Sequence, residues 1–414
     1  VIVADDMGWA DIGYHNPELQ TPVLDELATT GVELDCHYVQ PQCTPTRVAL
    51  MTGRYPSRFG LHCTQASNAQ AYPIGTLTMA SMLKSLGYET ALAGKWHMGS
   101  KPEWGPNHYG FDYSYGSLAG AIGMYDHRYR LNTPYWQTWH RNHEFVEEVG
   151  HAADLVTDEA VWWIERKRDK PFFLYVPYQN VHTPLVESHR LLALYDHIEN
   201  PDRRLMAAAI THLDRCIGRI VEALDETGQR EDTLVVFFSD NGGIHGTYGG
   251  NNYPPPDPPL KAFSFNTPLR SGKSHVYEGG IRVPALVNWL GKLAPRRVDV
   301  PMHCVDWMPT LAALLGFEPG DDPHWDGQSV WPIVAGQQQG DWDRQFYWVW
   351  GASRNRVALR RGPWKILRDG PDAEWELYNL EDDPSEENNL ARIMPEKMQQ
   401  LRRLFEREES KDSR

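Results

Sequence analysis

The sequence has no uninterrupted apolar run near the roughly 18 residues that a membrane-spanning helix requires. Its longest apolar stretches, such as residues 234–238, have strand length. Positive charge is in deficit, with 40 Lys and Arg against 55 Asp and Glu and a formal net charge of −15. That balance argues against general nucleic-acid binding and leaves room for a local cationic pocket. Cysteine is sparse: Cys36, Cys43, Cys63, Cys216 and Cys304 show no CxxC or other metal-binding spacing, and their odd number leaves at least one unpaired and assigns no disulfide. Internal repeats and low-complexity segments are lacking too. What remains is an ordinary globular composition, 414 residues with 41% hydrophobic and 23% charged, long enough for one large domain and a smaller one. The chain opens on Val1-Ile2-Val3-Ala4, already strand-like, which predicts a lost N-terminal segment.

That first β-branched run stops at Asp5-Asp6, two carboxylates at the C-terminal end of an expected buried parallel strand, where open α/β sheets place their ligands. Thr21-Pro22 starts a helix with Leu24, Leu27 and Ala28 on one face, and Gly31 stops it. A strand over residues 32–38 leads to Cys43-Thr44-Pro45-Thr46-Arg47, which reads as a loop running into a helix closed by Thr52-Gly53. Pro45 is tolerated in a first helical turn, so Cys43 belongs at or just before the N-terminus. Unpaired N–H groups and the helix dipole there favour an anion and lower a thiol pKa, so the position suits a nucleophile or an oxyanion.

A strand over residues 90–93 ends in Gly94-Lys95-Trp96-His97, with Lys95 and His97 on the same side if that segment stays extended. Residues 101–150 are rich in Trp, Tyr and His, including Trp104, His108, Tyr125, His127, Tyr135, Trp136, Trp139 and His140, and show no sustained period. Such segments are binding loops whose aromatic faces stack on sugars, or loops that pack on themselves; both remain open. A helix over 154–168 and a strand over 172–176 follow, the strand ending near His182. The amphipathic helix from Leu205 to Leu224 packs the core, with His212 and Cys216 structural. A strand over 233–238 ends in Ser239-Asp240-Asn241-Gly242-Gly243. Residues 253–259 form a stiff Pro-rich excursion. A strand over 284–289 and a helix over 306–315 precede short strands over 346–350, 356–360, 364–367 and 376–379 and a helix over 395–409. The fold class is therefore α/β: a large parallel or mixed sheet sandwiched by helices over 1–335, and a small α+β domain of antiparallel strands and a helix over 336–414.

Asp5, Asp6 and Asp240 supply carboxylates and Asn241 an amide oxygen. These hard ligands suit Ca²⁺ or Mg²⁺ and fit Zn²⁺ poorly. A metal, Arg47, Lys95, Lys273 and the two histidines make a pocket for a tetrahedral anion ester.

The chain resembles the type I sulfatases of the alkaline-phosphatase superfamily and is similar to arylsulfatase B-like enzymes. The resemblance rests on Cys43-x-Pro45-x-Arg47 with Thr52-Gly53 four residues on, five positions that would coincide in about one chain in ten thousand. It also rests on Val3-Ala4-Asp5-Asp6, Gly94-Lys95-Trp96-His97, Val181-His182-Thr183-Pro184, Ser239 to Gly243, Pro268-Leu269-Arg270 to Lys273, and Glu278-Gly279-Gly280-x-Arg282. Leu377-Tyr378-Asn379-Leu380, Asp383-Pro384 and Asn389-Leu390 extend it to the C-terminal part.

The resemblance implies an alkaline-phosphatase-like fold and a Cys43 that a maturation enzyme oxidises to formylglycine. One oxygen of the hydrated aldehyde attacks sulfur, and the other hydroxyl later loses its proton to expel sulfate. It implies further that Asp5, Asp6, Asp240 and Asn241 bind one Ca²⁺ in preference to Mg²⁺, that Arg47 holds the diol, and that Lys95 and Lys273 clamp sulfate. His182 would protonate the leaving oxygen and His97 assist removal of the diol proton. The implied substrate is a sulfated small molecule or oligosaccharide, and the implied location is outside the cytoplasm. Within the superfamily the same site also fits a phosphodiester or phosphonate monoester hydrolase; outside it, a non-catalytic binder of sulfated glycans with Cys43 left as a thiol. Thr46 stands where the family signature has serine, and residues 253–265 read as an insertion at the substrate entrance.

Overall fold

The computed structural model describes residues 1–130, 133–247, 261–320, 324–340 and 343–413. Its centre is a ten-stranded mixed sheet. Five neighbouring strands run parallel, in the order Val235–Ser239, Ile2–Ala4, Phe172–Pro177, Glu89–Lys95 and Tyr113–Ser117. On one side Ala285–Asn288 pairs antiparallel with Val235–Ser239 and leads to Val32–Leu34 and Arg296–Val298. On the other, Trp139–Arg141 and Glu144–Phe145 close the edge as an antiparallel hairpin.

The central strands are buried on both faces, and their side chains alternate between two cores as the pleat demands. Val3, Leu92, Phe173, Tyr175, Val236 and Phe238 point into one core. Ile2, Ala4, Leu174, Val176, Val235 and Phe237 point into the other. The second core is covered by the helices Pro22–Thr29, Ala152–Glu165 and Pro201–Glu226. The first is covered by Cys43–Thr52, Met79–Ser85 and Trp307–Leu315. All ten residues of Cys43–Thr52 are buried, as befits a helix enclosed on every side. It ends at Gly53, whose φ of 67° supplies the left-handed turn.

The small antiparallel sheet is Gln345–Trp350, Arg356–Arg361, Trp364–Asp369 and Glu376–Asn379, followed by the helix Pro395–Glu409. Its Phe346, Trp348 and Leu367 pack against Tyr38, Val276 and Ile281 of the larger part. The expected fold class is thus the observed one.

Two local expectations change. Residues 32–38 form two short strands, Val32–Leu34 and His37–Tyr38, the second pairing with Met302–His303. The aromatic region contains a strand of the main sheet, Tyr113–Ser117, where an aperiodic segment was expected. Tyr113 and Tyr115 do alternate there, but Gly116 interrupts the pattern: at φ 115° a Cβ would lie 2.3 Å from the Gly94 carbonyl oxygen. In the same region His127, Trp139 and His140 are buried packing residues, while Tyr125 and Trp136 are 53% and 40% exposed. The expected excursion at 253–259 lies outside the described residues. All five cysteines are buried and unpaired. Among the described residues no helix is long and apolar enough to cross a membrane.

His212 is structural, as expected. On Pro201–Glu226 it stands 3.0 Å from Glu187 and 3.5 Å from Asp154 of the neighbouring helix. Burial opposes its charge, but hydrogen bonds to Asp154, Cys216 and Glu187 outweigh burial and push it from 6.5 up to about 12. A cation whose pKa rises on folding stabilises fully below its unfolded pKa, and that contribution drains as pH climbs toward the folded value. His212→Gln is therefore expected to cost about 1.5–3 kcal/mol at pH 6 and progressively less toward pH 10. Urea denaturation of both proteins across that range checks this; a difference independent of pH contradicts it.

Candidate active site

Four of the central parallel strands deliver polar side chains to one edge of the sheet, the C-terminal edge at which such sheets hold ligands. Ile2–Ala4 delivers Asp5 and Asp6, Glu89–Lys95 delivers Lys95 and then His97, Phe172–Pro177 leads to His182, and Val235–Ser239 leads to Asp240 and Asn241. The turns are cross-braced. Asp5 donates its N–H to the Asn180 carbonyl at 2.9 Å, and Asp240 donates its own to Ala4 at 2.9 Å. Asp6, with φ 65°, donates its N–H to Asp240 Oδ1 at 3.3 Å.

Three buried cations meet three buried carboxylates. Arg47 reaches Asp240 Oδ2 with Nη2 at 2.7 Å and Nε at 3.2 Å, and its Nη1 donates to the Lys95 carbonyl at 3.0 Å. Lys95 Nζ pairs with Asp5, and Lys273 Nζ lies 2.7 Å from Asp6. The side chains of Arg47, Lys95, Asp5, Asp6 and Asp240 are all 0% exposed. Burial and then the charge of Asp240 push Asp5 up to about 7. Burial works the same way on Asp6, but Lys273 and His182 hold it well below the usual carboxylate range.

Cys43 is the first residue of Cys43–Thr52, 2% exposed, with its thiol in the field of Lys95, Lys273, Asp240 and Asp5. The expected depression of its pKa is not found. Burial pushes the thiol up and the two lysines only partly offset it, so this is not an activated thiolate.

His97 has φ 55°, so it reaches the pocket through a left-handed turn and not by the expected strand alternation with Lys95. Its ring rests on Gly120, where a Cβ would come within 2.1 Å of it, and its buried Nδ1 has no partner. Burial, Lys95 and Arg47 push it well below its ordinary value, leaving a neutral imidazole. His182 Nδ1 donates to the Thr183 carbonyl at 2.5 Å, which leaves the Nε2 lone pair 3.7 Å from Asp6. Burial and Lys273 bring it down to about 3.

The donor chemistry fits a hard divalent cation. Asn241 gives its amide N–H to Asp6 Oδ1 at 2.8 Å and to the Gly242 carbonyl at 2.9 Å, so its Oδ1 is left buried without a partner. Asp5 Oδ1 is likewise buried and unpartnered, an arrangement expensive to leave unfilled. The ligand atoms of Asp5, Asp6 and His182 lie within 4.8 Å of one another, while Asp240 is turned toward Arg47. Two other groups among the described residues are equally compact, His151–Asp154–His212 and His15–Glu33–Asp35. Their partners are already engaged: His151 takes the Ala153 N–H on Nδ1 and faces the Val186 carbonyl with Nε2, and Arg297 lies near both Glu33 and Asp35.

The structure therefore gathers Cys43, Arg47, Lys95, His97, His182 and Lys273 around Asp5, Asp6, Asp240 and Asn241. Two buried amide side chains near the site belong to no chemistry-bearing motif and escape the sequence reading. Asn266 clamps both backbone groups of Gly243, accepting its N–H at 2.8 Å and donating to its carbonyl at 2.9 Å. Gln179, buried beside the His182 turn, has both amide atoms unpartnered. Neither can be distinguished from a surface amide without its spatial neighbours.

Comparison with known proteins follows the same lines. A family model described as Sulfatase matches residues 1–317, and one described as N-sulphoglucosamine sulphohydrolase, C-terminal, matches residues 271–411. The chain is 33% identical to arylsulfatase J of Mus musculus over 401 residues, covering 89% of this chain and 64% of that protein. It is 31% identical to N-acetylgalactosamine-6-sulfatase of Canis lupus familiaris over 384 residues, 87% of this chain and 69% of the other. It thus spans somewhat less than two thirds of the mouse protein. The solved structure of Ps i-CgsB in complex with k-i-k-neocarrahexaose superposes with a TM-score of 0.88 at 32% identity, covering 100% of this chain and 92% of that one.

Removing one member of a buried charge pair leaves its partner uncompensated. Arg47→Met is expected to cost about 3–5 kcal/mol in urea denaturation of the ion-free protein. A loss below about 1 kcal/mol would show that Asp240 rehydrates instead.

Proposed function

The chain belongs to the sulfatase family, and from that premise we propose that it hydrolyses a sulfate ester of a sulfated sugar or glycan fragment. The observation that carries this reading is the balanced cluster of three buried carboxylates and three buried cations beside Cys43. Asp5, Asp6, Asp240 and Asn241 would hold Ca²⁺, and Cys43 would be the precursor of formylglycine. The bound ion would supply positive charge against the negative charge that develops on the ester oxygens. Formylglycine would supply the oxygen nucleophile that a buried, protonated thiol is not.

The chain's own residues then have distinct tasks. Arg47, one turn along from residue 43, ties the Cys43 helix to Asp240 and to the Lys95 carbonyl, fixing residue 43 against the ligand set. Lys95 and Lys273, each now paired with a carboxylate, become available for sulfate oxygens once the carboxylates are otherwise neutralised. His97 is a neutral imidazole with an unpartnered buried nitrogen, the state a base requires. His182 is oriented by Thr183 so that Nε2 faces the pocket. Burial, Lys273 and Lys95 depress its pKa, and an anionic ester between those lysines would offset their part and favour a proton on His182 for the leaving oxygen. Tyr125 and Trp136, two of the exposed aromatic residues, would offer faces for sugar rings.

Co-expression with a formylglycine-generating enzyme tests the reading. The peptide containing Cys43 should carry the aldehyde by mass spectrometry, and the matured protein should release sulfate from 4-nitrophenyl sulfate and from members of a sulfated oligosaccharide panel. Faster cleavage of phosphate or phosphonate esters would assign the site to that chemistry, and an unmodified, inactive Cys43 under full maturation would favour a sulfated-glycan binder. His182→Gln should lower kcat about 10²–10⁴-fold. Chelation should abolish activity, and Ca²⁺ at about 100 times its Kd should add about 2.7 kcal/mol of stability to the wild type and none to Asp6→Asn.

A further inference from the structure

Lys273 is delivered to Asp6 by a segment that is not regular structure. Residues 270–277 precede the short helix Glu278–Ile281, and two of them, Ser271 (φ 65°) and Ser274 (φ 69°), flank Lys273 in the left-handed region. Non-glycine residues persist there only where their surroundings over-determine them. Part of that restraint comes from the large sheet's own loops: Lys273 donates its N–H to Gly243 at 3.1 Å and Ser274 its own to Pro41 at 2.7 Å.

The rest comes from the C-terminal sheet and the turn that follows its last strand, Glu376–Asn379. Arg270 Nη1 donates to the Tyr378 hydroxyl at 2.9 Å and to the Glu386 carbonyl at 2.8 Å. Arg356 Nη1 donates to the Ser274 carbonyl at 2.8 Å, and His275 Nδ1 lies 2.9 Å from Asp369, which also pairs with Arg356 at 2.8 Å. At the end of the segment Glu386 accepts the Glu278 N–H at 2.6 Å, and Lys365 Nζ bridges Glu278 and Glu386 at 2.8 Å each. The side chains of Lys365, Glu278 and Glu386 are 0% exposed. A buried ion cluster is a weak source of stability compared with apolar packing, so its presence at this place calls for another role. The restraints converge on the two ends and the middle of the segment that carries Lys273.

We propose that the C-terminal sheet is a working part of the active site, in which Lys365, Glu386 and Asp369 are positioning residues that hold 270–278 so that Lys273 meets the sulfate group. This rests on the reading of Lys273 as a sulfate clamp. Without the brace the two serines relax from their left-handed conformations, and the ammonium loses its fixed place opposite Asp6.

The test uses the full matured chain with Lys365→Met, the milder Asp369→Asn, and Arg392→Ala as an exposed control on the same unit. In both brace variants, hydrogen exchange over 268–280 should accelerate about tenfold or more while peptides 1–10 and 235–243 keep their wild-type rates. Inorganic sulfate, measured by calorimetry, should bind about 10-fold more weakly, and kcat/KM for 4-nitrophenyl sulfate should fall about 10- to 100-fold. Arg392→Ala should match the wild type. Unchanged exchange over 268–280, or unchanged sulfate affinity, in a folded variant overturns the proposal; if Lys365→Met does not fold, Asp369→Asn decides by the same two measurements. Should the wild type cleave no sulfate ester, the proposed activity fails, while exchange and sulfate affinity still decide for or against the brace.

Discussion

Everything at the sheet edge depends on charge balance without water. Arg47 with Asp240, Lys95 with Asp5 and Lys273 with Asp6 are three ion pairs from which solvent is excluded, and no pair is self-sufficient. Burial and the charge of Asp240 push Asp5 up, while Lys273 and His182 outweigh burial and hold Asp6 down. In a medium of low effective dielectric, such a set is stable only while every charge keeps its neighbour. The cluster therefore resists partial change but would accommodate a concerted one, in which a cation joined the carboxylates and an anion the lysines.

The scaffold is suited to bearing that load. The strands Ile2–Ala4, Val235–Ser239, Phe172–Pro177 and Glu89–Lys95 are buried on both faces, so the positions just beyond their C-termini are fixed by two cores at once. The polar residues need no long side-chain excursions, because the backbone already brings them together. The turns beyond the strands do the final aiming, through left-handed conformations at Asp6 and His97.

Much of this was legible in the chain. Clusters of polar residues directly after short β-branched runs predict the sheet edge at which these side chains gather, and the Cys43-to-Gly53 spacing predicts where the helix starts and stops. What the sequence hid was set by tertiary context. Gly116 broke the alternation of Tyr113 and Tyr115, so a sheet strand looked like loop. Strand alternation predicts Lys95 and His97 on one side, whereas His97 is aimed by its own left-handed conformation. The helix-dipole effect on Cys43 was outweighed by burial, which no local pattern reveals. The brace on Lys273 joins residues more than eighty positions apart, and Lys365 and Glu386 look like surface charges until their neighbours are seen.

The enclosure of Cys43–Thr52 has a temporal consequence. A segment buried at all ten positions presents nothing to another macromolecule once the chain has folded. Any enzyme that alters residue 43 must therefore act on the nascent or unfolded chain, and the final compaction of the sheet seals in whatever side chain is there. A modification of residue 43, where one occurs, would thus have to precede folding, and a chain that folded first would be locked into a form it cannot leave without unfolding.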